Sequence, residues 1–146
     1  FQAIPNIAIA QRASMTFVAT PNADQAHTDR VMSIFADLGR AMLVDEHLLS
    51  AGTSMAGCGI AYAMRYVRAA SEGGVELGFK ADEAKDIALQ TMAGAVALLQ
   101  ATGRHPEAEI DRVTTPGGLT IRGLNAMEEA GFSNAVIQGL TCGKHK

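Results

Sequence analysis

The segment VTTPGGLTI at positions 113–121 carries the residue types best suited to chemistry in this chain. Thr115 is a good helix N-cap, and Pro116 fits the first helical position because that position needs no free N–H. The two glycines that follow leave backbone amides open to a ligand, and Thr120 adds a hydroxyl one turn deeper. Such a helix start can bind a small anion. A plain capped helix start with no ligand is the alternative.

The other reactive side chains stand alone in the sequence. Cys58 and Cys142 form no CxxC pair and no ligand cluster, which argues against a disulfide framework or a metal site and favours a reduced, cytoplasmic protein. Ser54 and His105 have no evident catalytic partner. The sequence contains no GxGxxG, Walker, HExxH or GxSxG motif.

Composition argues against two classes of partner. The 146 residues carry a formal net charge of −3, so there is no basic field that would attract nucleic acid or an anionic membrane. The longest uncharged run, Ile87 to Gly103, contains Gln90 and Gln100 and falls short of a membrane span. Hydrophobic residues make up 48% of the chain, which is enough for a sizeable core and rules out intrinsic disorder.

The first 45 residues predict a small α/β unit. Met15–Ala19 and Ala41–Val44 are short apolar runs typical of strands, and the apolar spacing over 26–38 predicts a helix between them. Strand, helix and strand resemble one βαβ unit, which cannot make a stable sheet alone. We therefore expect residues 1–45 to be the edge of a larger α/β domain, and the chain to be a piece of a longer protein.

From residue 46 onward, helical periodicity replaces the strand patterns, so we expect a mainly α chain. The predicted helices cover 54–77, 82–101, 107–112, 116–130 and 134–140. The second of them is apolar nearly all round from Ile87 to Leu99, and such a helix is central in a core. We expect a second subunit to cover part of its surface, unless a single bundle buries it.

Several segments resemble pyrroline-5-carboxylate reductases, in the right order along the chain. The run DRVTTPGGLTIRGL at 111–124, followed by EEAGF at 128–132, is similar to that family's signature. GCGIAY at 57–62 resembles its Gly-Ser-Gly-Pro-Ala-Tyr helix start, and GRHP at 103–106 its Gly-x-His-Pro segment. Ile4-Pro5-Asn6 resembles the Met-Pro-Asn that leaves the family's nucleotide-binding sheet.

The resemblance implies a fold and an activity. Residues 46–146 would be an all-helical dimerisation and substrate-binding domain, and residues 1–45 the C-terminal remnant of a Rossmann-type dinucleotide-binding domain. The activity would be NAD(P)H-dependent reduction of 1-pyrroline-5-carboxylate to L-proline in proline biosynthesis, with NADPH or NADH as cofactor. The helical domain would form a homodimer, and in the family such dimers often assemble into larger rings.

The resemblance also implies site residues, position by position. Thr120 would be the catalytic residue, because its hydroxyl would hydrogen-bond the ring nitrogen of the substrate. The residues that would hold the substrate carboxylate, through a hydroxyl and backbone amides, are Thr115, Gly117, Gly118 and Leu119. The residues that would lie beside the cofactor are Ala3, Pro5 and Asn6. No metal ligand is implied.

Three features of the chain depart from the family pattern. Cys58 replaces the family's serine and Ile60 its proline, which changes the fine contacts of the site. The glycine-rich cofactor loop is not in this sequence, so we expect the chain to be inactive by itself. Two alternatives stay open, namely a non-catalytic helical dimerisation or binding module and a reductase of a different imine or keto acid.

Overall fold

Three strands form one mixed sheet in the N-terminal part of the chain. In the computed structural model, which describes residues 1–143, they are β1 (Gln2–Ile4), β2 (Ser14–Ala19) and β3 (Gly39–Leu43). β1 pairs antiparallel with β2, and β2 pairs parallel with β3, in the order β1-β2-β3. The helix α1 (Gln25–Ala36) connects the parallel pair and packs on β3. This confirms the predicted βαβ unit.

Two further elements precede β2 and have no clear signal in the sequence. β1 is only three residues long, with Ala3 opposite Val18, so it is too short to show an alternating pattern. A 3-10 turn (Ile7–Gln11) then begins after Asn6. The Asn6 Oδ1 accepts a hydrogen bond from the Ala8 N–H at 3.1 Å, which is the ordinary way an asparagine caps a helical turn.

Helices make up most of the rest of the described chain. They are a 3-10 turn (Glu46–Leu48), α2 (Leu49–Gly52), α3 (Gly59–Glu76), α4 (Ala81–Thr102), α5 (Pro106–Val113), α6 (Leu119–Glu129) and α7 (Phe132–Thr141). The predicted fold class, mainly helical with a small βαβ remnant, is confirmed. α4 and α5 each begin and end within one residue of their predicted limits.

The first long helix differs from its prediction. It begins at Leu49 rather than Ser54, and the segment Thr53–Cys58 between α2 and α3 is π-helical. The Gly59 N–H donates to the Ser54 carbonyl, five residues back, instead of four. A π-helical turn adds one residue to the helix; such turns are rare, and many of them occur at functional sites. No local pattern of apolar residues predicts it, because the contacts that hold it come from distant parts of the chain.

The described chain divides into two compact units. The sheet unit comprises Phe1–Tyr62 together with residues 137–143, and the helical unit is Ala63–Val136. The core of the sheet unit lies on β2, where Thr16 and Val18 are fully buried. Within the described part of the helical unit, by contrast, Ala84 and Ala88 of α4 are the two residues that are buried.

α4 keeps apolar side chains on two opposite faces. At about 100° per residue, Ile87 and Leu98 share one face, and Leu89 and Val96 share the other. All four are about half exposed, so the other helices of the chain do not cover them. A single bundle therefore does not bury α4. Within residues 1–143, none of the helices combines the length and apolarity needed to cross a bilayer.

Candidate functional site

A tight turn precedes α6 at the segment singled out in the sequence. The Gly118 N–H donates to the Thr115 carbonyl at 2.9 Å, which closes a four-residue turn. Pro116 and Gly117 occupy its two central positions, and Gly117 has a φ of +68°. Proline followed by a residue with positive φ is the pattern of a type II turn, and glycine adopts that φ without strain.

This turn corrects the predicted start of α6. The helix begins at Leu119 with Gly118 as its N-cap, rather than at Pro116 with Thr115 as N-cap. The sequence Thr-Pro-Gly-Gly suits both a capped helix start and a type II turn, and the turn forms because it gives the Gly118 amide an acceptor. Consequently the Gly118 amide is already hydrogen-bonded, and the amides left without intrahelical partners are those of the first turn from Leu119 onward.

The start of α6 is open to solvent. No side chain of the described residues caps it. Leu119 is 86% exposed, and Thr115 and Thr120 are exposed beside it. A Cβ on Gly118 would collide with the Thr115 side chain, so a bare residue is needed at that position. The geometry therefore offers free amides, a positive helix end and two hydroxyl groups to a small anion.

α5 directly precedes this turn, and its side chains are fixed by contacts within the helical unit. His105 caps α5, and its Nδ1 accepts from the Glu107 N–H at 3.3 Å. The Glu109 side chain is only 12% exposed, and its Oε2 accepts from the Arg112 guanidinium at 2.7 Å. Its Oε1 is buried without a hydrogen-bond partner among the described residues, and the Arg104 guanidinium lies 3.8 Å away. These contacts give His105 and Glu109 structural roles within the helical unit.

The predicted cofactor residues lie in the sheet unit, at the carboxyl end of β1. Ala3 is the second residue of β1, and Pro5 and Asn6 follow the strand directly. Ala3 and Pro5 are exposed. Because β1 runs antiparallel to β2, this end of β1 lies beside the amino end of β2, and the exposed small residues there leave room for a ligand.

Sequence reasoning missed what the Asn6 side chain does. Its Nδ2 donates to the Ala56 carbonyl at 3.3 Å, across fifty residues of chain, and its Oδ1 caps the 3-10 turn. An asparagine directly after a strand is a visible sign of a polar role, but no sequence pattern indicates that Ala56, fifty residues away, is its partner.

The remaining polar and reactive side chains of interest lie outside the candidate site. The Ser54 hydroxyl donates to the Leu140 carbonyl. Cys58 and Cys142 are both exposed free thiols. His145, which the sequence predicts to be a surface residue, lies outside the described residues. Asp24 caps α1, and its hydrogen bonds from the His27 backbone N–H and ring hold the pKa of Asp24 below its ordinary value of 3.8.

Comparison with known proteins identifies the family. Residues 46–146 match the family model described as pyrroline-5-carboxylate reductase dimerisation. That match covers more than half of the chain, so the chain belongs to this family. The matched region contains the turn before α6, the whole helical unit and the π-helical segment.

Named relatives and a solved structure agree with this assignment. The chain is 42% identical to pyrroline-5-carboxylate reductase 1 of Dictyostelium discoideum, covering 99% of this chain and 28% of the relative. It is 38% identical to pyrroline-5-carboxylate reductase 2 of the same organism, covering 99% of this chain and 53% of the relative. The crystal structure of Plasmodium falciparum pyrroline carboxylate reductase with NADP bound has the same fold, with a TM-score of 0.90 at 23% identity over 97% of this chain and 57% of that one. The chain thus spans about half or less of these proteins.

Proposed function

We propose that this chain is the dimerisation and substrate-binding part of a pyrroline-5-carboxylate reductase, which reduces 1-pyrroline-5-carboxylate to L-proline with NADPH or NADH. The observation that carries the proposal is the open start of α6, where free first-turn amides lie beside the hydroxyls of Thr115 and Thr120. The substrate is a small cyclic imine with a carboxylate, and the helix start offers donors that would suit both of its polar groups. The domain boundary that we propose, between residues 45 and 46, coincides with the start of the family match.

The substrate carboxylate would bind at the turn and helix start. The amides of Gly117 and Leu119 would donate to it, together with the Thr115 hydroxyl. Gly118 would contribute its lack of a side chain, because its own amide already donates to Thr115. A carboxylate at a helix N-terminus also gains from the positive end of the helix dipole, by about 0.3–1 kcal/mol where the site is exposed.

Thr120 would act on the imine nitrogen. Reduction adds a hydride to the imine carbon and a proton to the nitrogen, so electron density builds up on the nitrogen as the reaction proceeds. A hydroxyl that donates a hydrogen bond to that nitrogen stabilises the developing charge. With the carboxylate bound at the turn, this hydrogen bond would also orient the ring, and orientation supplies much of the rate enhancement.

The cofactor would lie against the carboxyl end of β1. Ala3 and Pro5 are exposed there and would contact it by packing, while Asn6 would offer backbone atoms. When bound, the nicotinamide supplies the hydride. The sequence holds no GxGxxG loop, so we expect the 146-residue chain alone to show no imine-dependent oxidation of NADPH. The cytoplasmic location stays a prediction.

The helical unit would form a homodimer. The apolar residues on both faces of α4 are about half exposed. An open groove of about 570 Å³ between α3 and α4 is lined by apolar residues such as Met64 and Val67 and also by charged ones, namely Arg68, Glu72, Asp82 and Lys85. A second copy that packs on both faces would bury this surface. Assembly of dimers into a ring is part of the same proposal.

A threonine-to-valine pair tests the proposed chemistry. In the full-length protein that contains this chain, Thr120→Val should lower kcat for imine reduction about 100-fold, because it removes the donor to the nitrogen and keeps the shape. Thr141→Val, an equivalent change in α7, should leave kcat unchanged. Proline formation and NADPH oxidation are the measurements. Equal activity of the two variants would remove Thr120 from the mechanism, and an inactive wild-type protein would overturn the proposed function.

A further inference from the structure

We propose that Asn6 is a positioning residue whose side chain fixes the π-helical segment Thr53–Cys58, and with it the glycine-bearing start of α3. This inference rests on the proposed reductase function and deepens it. It assigns the Asn6 side chain to the shape of the family-like segment at 57–62, and leaves its backbone to the cofactor.

Asn6 joins three elements of the sheet unit. Its backbone N–H donates to the Ser14 Oγ on β2 at 3.1 Å. Its Oδ1 accepts from the Ala8 N–H of the 3-10 turn, and its Nδ2 donates to the Ala56 carbonyl in the π-helical segment. A residue that bonds a strand, a turn and a helix at once constrains their relative positions.

The strand side of this connection is firmly anchored. Ser14 is 2% exposed, and its Oγ lies 3.1 Å from the Oγ1 of Thr16, which is fully buried. Buried hydroxyls that satisfy each other hold their positions, because breaking either bond would leave an unpaired polar group in the core. Asn6 therefore reaches the helix from a rigid point.

The π-helical segment needs a tertiary contact to keep its geometry. A π-helical turn is less favourable than an α-helical one and persists where tertiary contacts hold it. Two long-range hydrogen bonds reach this segment, from Asn6 to the Ala56 carbonyl and from Ser54 to the Leu140 carbonyl. Loss of the Asn6 donor would let the segment relax toward α-helical geometry. A change of one residue in register turns Gly57–Gly59 by about 100° about the helix axis.

Asn6→Asp isolates this donor. Aspartate has nearly the same shape and keeps an oxygen for the Ala8 amide, but it has no N–H for Ala56. Asn22→Asp makes the same chemical change in an exposed turn before α1 and serves as the control. In the 146-residue chain, amide exchange over residues 56–61 should become about tenfold faster in Asn6→Asp alone, while β2 stays protected. Asn6→Ser, one atom shorter, replaces Asn6→Asp if the latter does not fold.

Kinetics of the full-length reductase supply a second readout. Asn6→Asp should lower kcat for the imine about tenfold and change the KM for NADPH by less than about twofold, relative to Asn22→Asp. A raised KM for NADPH with an unchanged kcat would mean that the side chain binds the cofactor, which overturns the proposal. Exchange rates equal to those of Asn22→Asp would also overturn it. If the wild-type protein lacks reductase activity, the proposed function fails, and the exchange comparison still decides the role of Asn6.

Discussion

The sheet unit and the helical unit bury their side chains in different ways. In the sheet unit, β2 alone supplies Thr16, Val18 and Ala19, all nearly inaccessible to solvent, and its buried hydroxyls bond each other. In the helical unit, the buried residues of the described chain are two alanines, whereas large apolar side chains on α4 stay about half exposed. The smaller unit thus has a core of its own, and the helical unit lacks one.

The sheet unit is stabilised by burial within one chain, whereas the helical unit needs association with a second chain to bury its apolar side chains. A helix with apolar residues on opposite faces buries both only when something packs on each side. The family match is to a dimerisation domain. Packing against a second copy would explain why α4 turns its alanines toward its own chain and leaves its large apolar side chains exposed. Substitutions in the two units should therefore report on different equilibria.

The largest effect is expected for Leu98→Glu on α4. The Leu98 side chain is about half exposed in one chain. A glutamate there would carry a charge that loses its water when a dimer forms, which weakens association. The dimer dissociation constant should rise at least about 100-fold. Sedimentation equilibrium measures it, and the control is Gln90→Glu, at an exposed position of α4 that lies between the two apolar faces. A dimer of unchanged affinity would show that α4 faces solvent in the assembled protein.

Val18→Ala should act on the sheet unit instead. Val18 is fully buried on β2, so loss of two methyl groups should lower the free energy of unfolding by about 2 kcal/mol. The dimer dissociation constant should not change. Urea unfolding measures the stability, and Ile7→Ala, at a position that is 74% exposed, is the matched control. Equal losses in the two variants would contradict the view that β2 carries the core.

Two neighbouring glycines of α3 give a sharper test inside the helical unit. A Cβ at Gly74 would lie 2.8 Å from the Ala84 Cβ of α4, whereas a Cβ at Gly73 meets nothing within 4 Å. Gly74→Ala should therefore cost about 1–3 kcal/mol through overpacking. Gly73→Ala should add up to about 1 kcal/mol, because alanine is the better helix former. Thermal unfolding measures the stability of both variants. A loss of stability in Gly73→Ala as well would indicate that a second copy contacts that face of α3.

The smallest effect concerns the pH dependence of the sheet unit. The pKa of Asp24 in the folded chain lies below its ordinary 3.8, since the His27 backbone N–H and ring donate to the carboxylate. The stabilisation is therefore complete above that ordinary value and is lost as the pH falls through the folded pKa. Wild type should lose more stability than Asp24→Ala between about pH 5 and pH 3 in urea unfolding. Parallel curves would mean that the cap contributes nothing.

Elements with a strong period could be predicted from the sequence. The strands β2 and β3 lie within two residues of their predicted limits and the helices α4 and α5 within one, because short apolar runs and 3.6-residue spacing report local burial. β1 could not be predicted, since three residues show no period. The π-helical segment could not be predicted either, because Asn6 and Leu140, which bond it, lie far away in sequence.

The residues of the candidate site stay a prediction, whereas the local structure that carries them differs from the predicted one. The resemblance selected Thr115, Gly117 and Thr120, which lie in the turn before α6 and in its first residues. The helix nevertheless begins three residues later than predicted, because Pro116 and Gly117 form a turn. Proline is favoured at the first position of a helix and at the second position of a turn, so residue types alone could not decide between them.

The exposed apolar faces of α4 have a consequence for how stability is measured. A unit that completes its core with a second copy shares its folding equilibrium with association, so its unfolding midpoint must rise with protein concentration. The sheet unit, which has its own core, should melt at a temperature independent of dilution. Two unfolding transitions that move apart as the protein is diluted would therefore show that the sheet unit and the helical unit also unfold separately in solution.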